Sequence, residues 1–204
     1  IRLLERCGVE VVSAAGVGCC GALAHHLGDD RRSLAQARAA IDAWLAAHAR
    51  GALDAIVVTT SGCGTMLKDY AFLFREDPVY AARAARVAAL TRDVSEVLET
   101  LVLPPAIQGA GLRIAYHAAC SLAHGQGIVA PPRRLLRAAG FEVLEIPDGH
   151  LCCGSAGVYN VLQPELSDQL LSRKLASVAS VAPDAIALGN IGCLTQLQRG
   201  ATVP

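Results

Sequence analysis

The sequence predicts an α/β fold made of duplicated units, each a small parallel sheet flanked by helices, the two related by pseudo-symmetry. Three observations predict it. Short β-rich runs alternate with helical patterns, as parallel strands joined by crossover helices do. Gly8-Val9-Glu10-Val11-Val12 leads to Cys19-Cys20-Gly21, and Gly140-Phe141-Glu142-Val143-Leu144 leads to Cys152-Cys153-Gly154. Asp54-Ala55-Ile56 then leads to Gly62-Cys63, as Asp184-Ala185-Ile186 leads to Gly192-Cys193, with nine positions from Asp to Cys both times. Landmarks recurring in one order are the mark of an internal repeat. The first copy is placed at 1–104 and the second at 105–204.

Taken along the chain, residues 9–14 follow a glycine with a short β-rich run and are expected as a strand. A helix follows, with Leu34, Ile41, Trp44, Leu45 and His48 on one face and Gly51 as its stop. Residues 54–59 are the next strand, and 79–102 are read as extra helix found in the first copy only. The segment 104–111, with Pro104, Pro105 and Gly111, is the joint between copies. The second copy opens with a strand at 113–117 running toward Cys120. A short helix at 133–139 precedes a strand at 141–146. Pro164 then suits a first helical position. Leu166, Leu170, Leu171, Leu175 and Val178 are the expected buried stripe of that helix, and Pro183 ends it. A final strand is expected at 184–189. Counting back by the repeat, the first copy's opening strand and first Cys would precede Ile1. The sequence starts without an initiator Met and reads as a cut inside a longer protein.

Composition narrows the function. The 18 basic and 18 acidic residues balance, which argues against a nucleic-acid partner held by phosphate neutralisation. No uncharged apolar run reaches the length that spans a bilayer. A chain of 204 residues can bury about 70% of its unfolded surface and needs no disulfide staples. Its eight cysteines therefore call for another explanation. Adjacent pairs such as Cys19-Cys20 and Cys152-Cys153 fit disulfide geometry poorly, and no secretory leader is visible.

Residues at the carboxyl ends of parallel strands converge on one edge of the sheet. Cys19, Cys20 and Cys63 should therefore meet in one place, and Cys120, Cys152, Cys153 and Cys193 in another. Gathered thiolates select zinc or iron–sulfur clusters. Spacing excludes several forms of either. No Cys-x-x-Cys occurs, since Met66 and Gln196 stand at those positions; this removes the redox pair, the zinc ribbon and the bacterial ferredoxin run. Adjacent cysteines diverge from neighbouring backbone units. They suit a multi-iron cluster, where each sulfur reaches a different iron, better than a single tetrahedral ion. The glycine after each pair lets the backbone approach closely. The bland alternative, a set of buried core thiols, explains a duplicated Cys-Cys-Gly less well. Gly16-Val17-Gly18-Cys19-Cys20-Gly21 imitates a dinucleotide fingerprint, but Asp42 lies mid-helix where a strand-end acid is needed, and the glycine pattern does not repeat.

His25, His26 and His117 lie near the cysteines in sequence and are candidates for a supporting shell or for ligation, with His25 and His117 the stronger for ligation. His48 is a helix-face residue; His124 and His150 lie near the second site. Cys7 precedes the first strand, so it starts at the opposite end of the sheet from Cys19 and is read as a core or surface thiol.

These motifs resemble a known family. The paired Cys-Cys-Gly with Cys120 and Cys193 looks like the cysteine-rich CCG domain found in heterodisulfide reductases, in lactate-utilisation proteins and in the glycolate oxidase (glycolate dehydrogenase) iron–sulfur subunit. Gly18-Cys19-Cys20-Gly21-Ala22-Leu23-Ala24-His25-His26-Leu27-Gly28 is very similar to the last of these, as are Thr59-Thr60-Ser61-Gly62-Cys63-Gly64, Lys68-Asp69-Tyr70, Leu90-Thr91-Arg92-Asp93 and His150-Leu151-Cys152-Cys153-Gly154-Ser155-Ala156-Gly157. The resemblance implies duplicated CCG units and a metal-binding, electron-transport role. Glycolate would be oxidised to glyoxylate at a flavin on partner subunits, and iron–sulfur clusters, [4Fe–4S] above all, would pass the electrons toward a membrane quinone. It implies a cytoplasmic location peripheral to the inner face of the membrane. In heterodisulfide reductase the motif ends in Cys-x-x-Cys; here Met66 and Gln196 leave four thiolates per complete copy, enough for a cubane cluster or for zinc. Two alternatives follow: a zinc-binding or metal-free docking module, and a thiol/disulfide oxidoreductase of the heterodisulfide type.

Overall fold

Helices and short parallel strands alternate along both halves of the chain in a computed structural model that describes residues 1–105 and 111–204. The expected joint at 104–111 falls mostly outside the described residues. The chain divides into two units, Ile1–Val97 and Leu98–Pro204.

The first unit contains α1 (Arg2–Arg6), α2 (Ala22–His26), α3 (Asp30–Arg50), β1 (Ile56–Val58), α4 (Ser61–Leu73), α5 (Ala81–Leu90), β2 (Thr91–Asp93) and the start of α6 (Val94–Leu98). Its sheet is the parallel pair β1–β2, with Ile56 opposite Thr91 and Val58 opposite Asp93. Asp29 caps α3 by accepting from the Arg32 amide at 3.0 Å, and Gly51 follows its last turn as expected. Ala37, Ala40 and Ile41 are its buried residues that pack on Ile56, Tyr70, Phe74 and Val87. Leu34, Trp44 and Leu45 border this core, half-buried. His48 ends the helix structurally: its Nδ1 accepts from the Leu53 amide at 2.9 Å.

The second unit contains β3 (Arg113–His117), α7 (Cys120–Ala123), α8 (Pro131–Ala138), β4 (Glu142–Leu144), α9 (Tyr159–Leu162), α10 (Pro164–Ala179), β5 (Ala185–Leu188) and α11 (Ile191–Gln198). Its three parallel strands run in the order β4-β3-β5. The central strand, β3, is the most buried, as a strand covered on both faces must be. Parallel pairing puts the ends of all three, Leu144, His117 and Leu188, on one edge of the sheet.

Three expectations are corrected. Residues 9–14 form no strand. Their counterpart, β4, is hydrogen-bonded to β3, and residues 1–97 contain no equivalent of β3, so the segment has no ladder to join. The expected helix at 79–102 is broken by β2. Thr91 is fully buried and extended, its hydroxyl donates to the Val87 carbonyl at 2.8 Å, and the β1 ladder overrides the helical propensity of the Ala-rich run. The buried stripe of α10 is Ser167, Leu171, Lys174 and Val178, whereas Leu166 is exposed. A Ser and a Lys occupy core positions that the hydrophobic count assigned to leucines.

Candidate metal centre

Each cysteine of the second unit is delivered by an element that starts at the same sheet edge. Cys120 is the first residue of α7, three positions after β3 ends at His117. Cys193 sits in the first turn of α11, where Asn190 caps the helix by accepting from the amides of Gly192 at 2.8 Å and Cys193 at 3.3 Å. Cys152 and Cys153 lie in the loop after β4. That loop is fixed by Gly154, whose φ of +95° is left-handed and whose absent Cβ would lie 2.5 Å from the Ser167 carbonyl oxygen on α10. Ser167 in turn donates its hydroxyl to the Gly154 carbonyl at 2.9 Å. Gly154→Ala should therefore cost at least about 2 kcal/mol, from the left-handed backbone and the close approach together; thermal unfolding of the variant measures it.

The same device recurs in the first unit. Gly21 has a φ of +89°, and a Cβ there would lie 2.8 Å from the carbonyl oxygen of buried Ser33 on α3. In both units the glycine amide points at the first sulfur of the pair, Gly21 to Cys19 at 3.5 Å and Gly154 to Cys152 at 3.3 Å. The repeat is thus legible in the packing of Gly against Ser as well as in the motif.

The four thiols of the second unit form a chain of contacts. Cys120 meets Cys152, Cys152 meets Cys153, Cys153 meets Cys193, and Cys193 faces His117. The sulfurs of Cys153 and Cys193 and a ring nitrogen of His117 lie within 4.8 Å of one another. Contact splits the thiols into two kinds. Hydrogen bonds from Cys120, then Cys153, pull Cys152 far below the ordinary thiol range. The Cys153 thiol likewise lowers Cys193 to about 5, with His117 adding to the effect against burial. Cys120 and Cys153, as the donors, are pushed up by their thiol partners and then by burial. Contact thus favours one thiolate within each of the pairs Cys120–Cys152 and Cys153–Cys193, and a cation held there would favour loss of the remaining protons.

In the first unit Cys20 contacts Cys63, which is lowered to about 7 by that hydrogen bond against burial and the neighbouring Cys19. Cys19 is exposed and Cys20 buried. The Tyr70 hydroxyl donates to the Cys20 carbonyl at 2.8 Å inside the core. His25 and His26 are exposed at the end of α2, with His25 Nδ1 3.7 Å from the Asp30 carboxylate. Among the described residues they do not join Cys19, Cys20 and Cys63 in a close donor group; the one such group is His117, Cys153 and Cys193. His124 reaches the His150 carbonyl at 3.4 Å. Cys7 caps the end of α1, half-buried.

Whether these residues fit a metal is tested by His117. It is 1% exposed, neither ring nitrogen makes a well-formed hydrogen bond among the described residues, and the polar group it faces is the Cys193 sulfur. A buried polar group left so is costly. A soft cation shared with the facing sulfurs, or a ring N–H aimed at bound sulfur, would satisfy it. The donor set fits.

Two residues of this site carried no signal by type. Gln196, fully buried at the place of a last Cys, donates its Nε2 to the Ser167 hydroxyl at 2.9 Å and so ties α11 to α10. Lys174 is 2% exposed beneath the Cys-Cys loop. A count at 167, 171, 174 and 178 along α10 would have found it.

Comparison with known proteins agrees with the geometry. The cysteine-rich domain family designated CCG matches residues 1–68 and 114–198. The "Glycolate oxidase iron-sulfur subunit" of Escherichia coli (strain K12) is 39% identical over 196 residues, 96% of this chain and 48% of that protein. The "Probable glycolate oxidase iron-sulfur subunit" of Bacillus subtilis (strain 168) is 32% identical over 204 residues, covering 98% of this chain and 45% of that protein. "Lactate utilization protein A" of Bacillus licheniformis is 33% identical over 201 residues, 97% of this chain and 81% of that protein. The chain thus spans about half the length of the first two relatives.

Proposed function

Because this chain belongs to the family of cysteine-rich CCG domains, we propose that it is the electron-carrying part of a glycolate-oxidising complex and that Cys120, Cys152, Cys153 and Cys193 hold an iron–sulfur cluster of the [4Fe–4S] type. The observation that supports this reading is the chain of four thiols on one sheet edge, ending at the buried His117. When bound, such a cluster supplies a site that stores and releases one electron. The protein's own residues do the rest. Four thiols from three separate elements fix the site, the Gly154–Ser167 packing holds the paired cysteines in place, and burial of Cys153 and Cys193 keeps water away. Within residues 1–204 the first unit contributes Cys19, Cys20 and Cys63 to a set of three.

In this reading flavin-bearing partner subunits oxidise glycolate to glyoxylate, and the electrons leave toward a membrane quinone at the cytoplasmic face. No helix among the described residues is long and apolar enough to cross a membrane, and the reading has the chain sit at the surface through its partners.

A second reading, structural zinc, is favoured by the trio His117, Cys153 and Cys193, a donor set typical of zinc. Metal analysis separates the two. Anaerobically purified protein should contain about four iron and four sulfide per chain, one cubane cluster, with broad visible absorption. Colourless protein holding a single zinc would overturn the electron-transfer reading.

A further inference from the structure

We propose that Lys174 is the fixed counter-charge of the second cysteine site, a buried ammonium that raises the reduction potential of the group the thiolates hold. The proposal rests on the iron–sulfur reading above and adds a residue to it.

Lys174 lies on the buried stripe of α10 and is 2% exposed. Its Nζ donates to the carbonyls of Asp148, at 3.0 Å, and Gly149, at 3.4 Å, in the loop just ahead of Cys152. It lines one small cavity with Cys152, Leu151 and Leu170. The Asp148 carboxylate is already engaged by Arg173 at 2.6 Å, and among the described residues no carboxylate forms an ion pair with Lys174. Two carbonyl hydrogen bonds do not offset the desolvation of a buried ammonium. Beyond the Asp148 carboxylate, which is shared with Arg173, the negative charge near it is that of the cysteine site. Burial lowers the Lys174 pKa; the opposing influences are Cys153 first, then Asp148, Cys152 and Cys193.

The duplication shows that the fold does not demand this charge. With Ser167 matched to Ser33, Lys174 falls on Ala40, which is also 2% exposed. The equivalent helix of the first unit packs there with a methyl group. Helix packing alone therefore does not account for the lysine at this place in the second unit, which lies beneath the Cys152-Cys153 loop.

Adding an electron to the bound group adds negative charge to a site of low dielectric, and a fixed cation nearby favours that reduced form. The test is a potentiometric titration of anaerobically purified protein, followed by the spectroscopic signal of the reduced cluster, on wild type, Lys174→Met, Lys174→Gln and Lys174→Arg. Iron per chain is measured on each. Methionine keeps the length without the charge. Glutamine keeps a donor for the Asp148 and Gly149 carbonyls without the charge. Both should retain iron while their oxidised-to-reduced equilibrium shifts at least tenfold toward the oxidised form, a fall of 59 mV for a one-electron couple. Lys174→Arg should stay near the wild-type potential.

Neutral variants that keep their iron and the wild-type potential would overturn the proposal, as would Lys174→Arg falling as far as Lys174→Met. Loss of iron from both neutral variants would also overturn it, because the lysine would then be a brace for the loop. Wild-type protein without a cluster is a separate outcome, visible before any variant is made. It would remove the iron–sulfur reading and this proposal with it.

Discussion

Cys152→Ala is expected to take the protein from one iron–sulfur cluster per chain to none, while Cys7→Ala leaves the iron content unchanged. Cys152 stands in the middle of the contact chain. It touches Cys120 on one side and Cys153 on the other, and the Gly154 amide points at its sulfur from 3.3 Å. Without it the Cys120 sulfur is cut off from Cys153 and Cys193, and the remaining donors no longer form one set. Losing even an outer-shell partner typically weakens metal binding by about 10- to 100-fold, so losing a central thiolate should exceed that. Cys152 is only half-buried, and Gly154, Ser167 and Gln196 hold the loop independently of its side chain. The metal-free variant should therefore unfold close to the metal-free wild type, and iron, sulfide and visible absorption are the discriminating measurements. Cys20→Ala extends the comparison. The first unit's candidate set is Cys19, Cys20 and Cys63, of which Cys19 is exposed, and iron near one cluster per chain in this variant would place the metal in the second unit. Retention of a full cluster by Cys152→Ala would move the ligand assignment elsewhere.

Much of this site is legible in the sequence for a plain topological reason. Parallel strands all end on one edge, so a Cys a few residues beyond each strand end must arrive at the same place; His117, Cys120, Cys152, Cys153 and Cys193 do so although 76 positions separate the first from the last. Strand 113–117 and helix 164–179 are likewise recoverable from local pattern, the first from its β-rich run and the second from Pro164. What is not legible depends on partners distant in sequence. Residues 9–14 carry the same pattern as β4 and still form no strand, because the ladder they need is missing from their own unit. Thr91–Asp93 lies in an Ala-rich stretch and becomes a strand because β1 has a free edge beside it. Lys174 and Gln196 are missed by residue type for a different reason. A hydrophobic count scores them as surface residues, yet one is buried beside the Cys-Cys loop and the other is buried on Ser167.

Tyr70 shows how the first unit keeps its paired cysteines in place, and removing its ring should be among the most damaging single changes in that unit. The side chain is fully buried on α4, edge-on to Phe74 with ring centroids 6.2 Å apart, and its hydroxyl reaches across 50 residues of sequence to the Cys20 carbonyl at 2.8 Å. It is thus a core residue whose polar end secures the peptide that follows Cys20. Tyr70→Ala opens a cavity among Ile41, Ile56 and Phe74 and should cost about 3 to 5 kcal/mol. Tyr70→Phe keeps the packing but leaves the buried Cys20 carbonyl without its donor, at about 1 to 3 kcal/mol. Chemical denaturation of the metal-free protein gives both numbers, with the larger loss for alanine. The phenylalanine variant also separates the two roles of the residue. If it is as stable as wild type, the hydroxyl does not hold Cys20, and the ring alone accounts for Tyr70. If it loses stability and the second unit's iron content stays at the wild-type level, the tyrosine acts on the first cysteine set through its hydrogen bond, independently of the second.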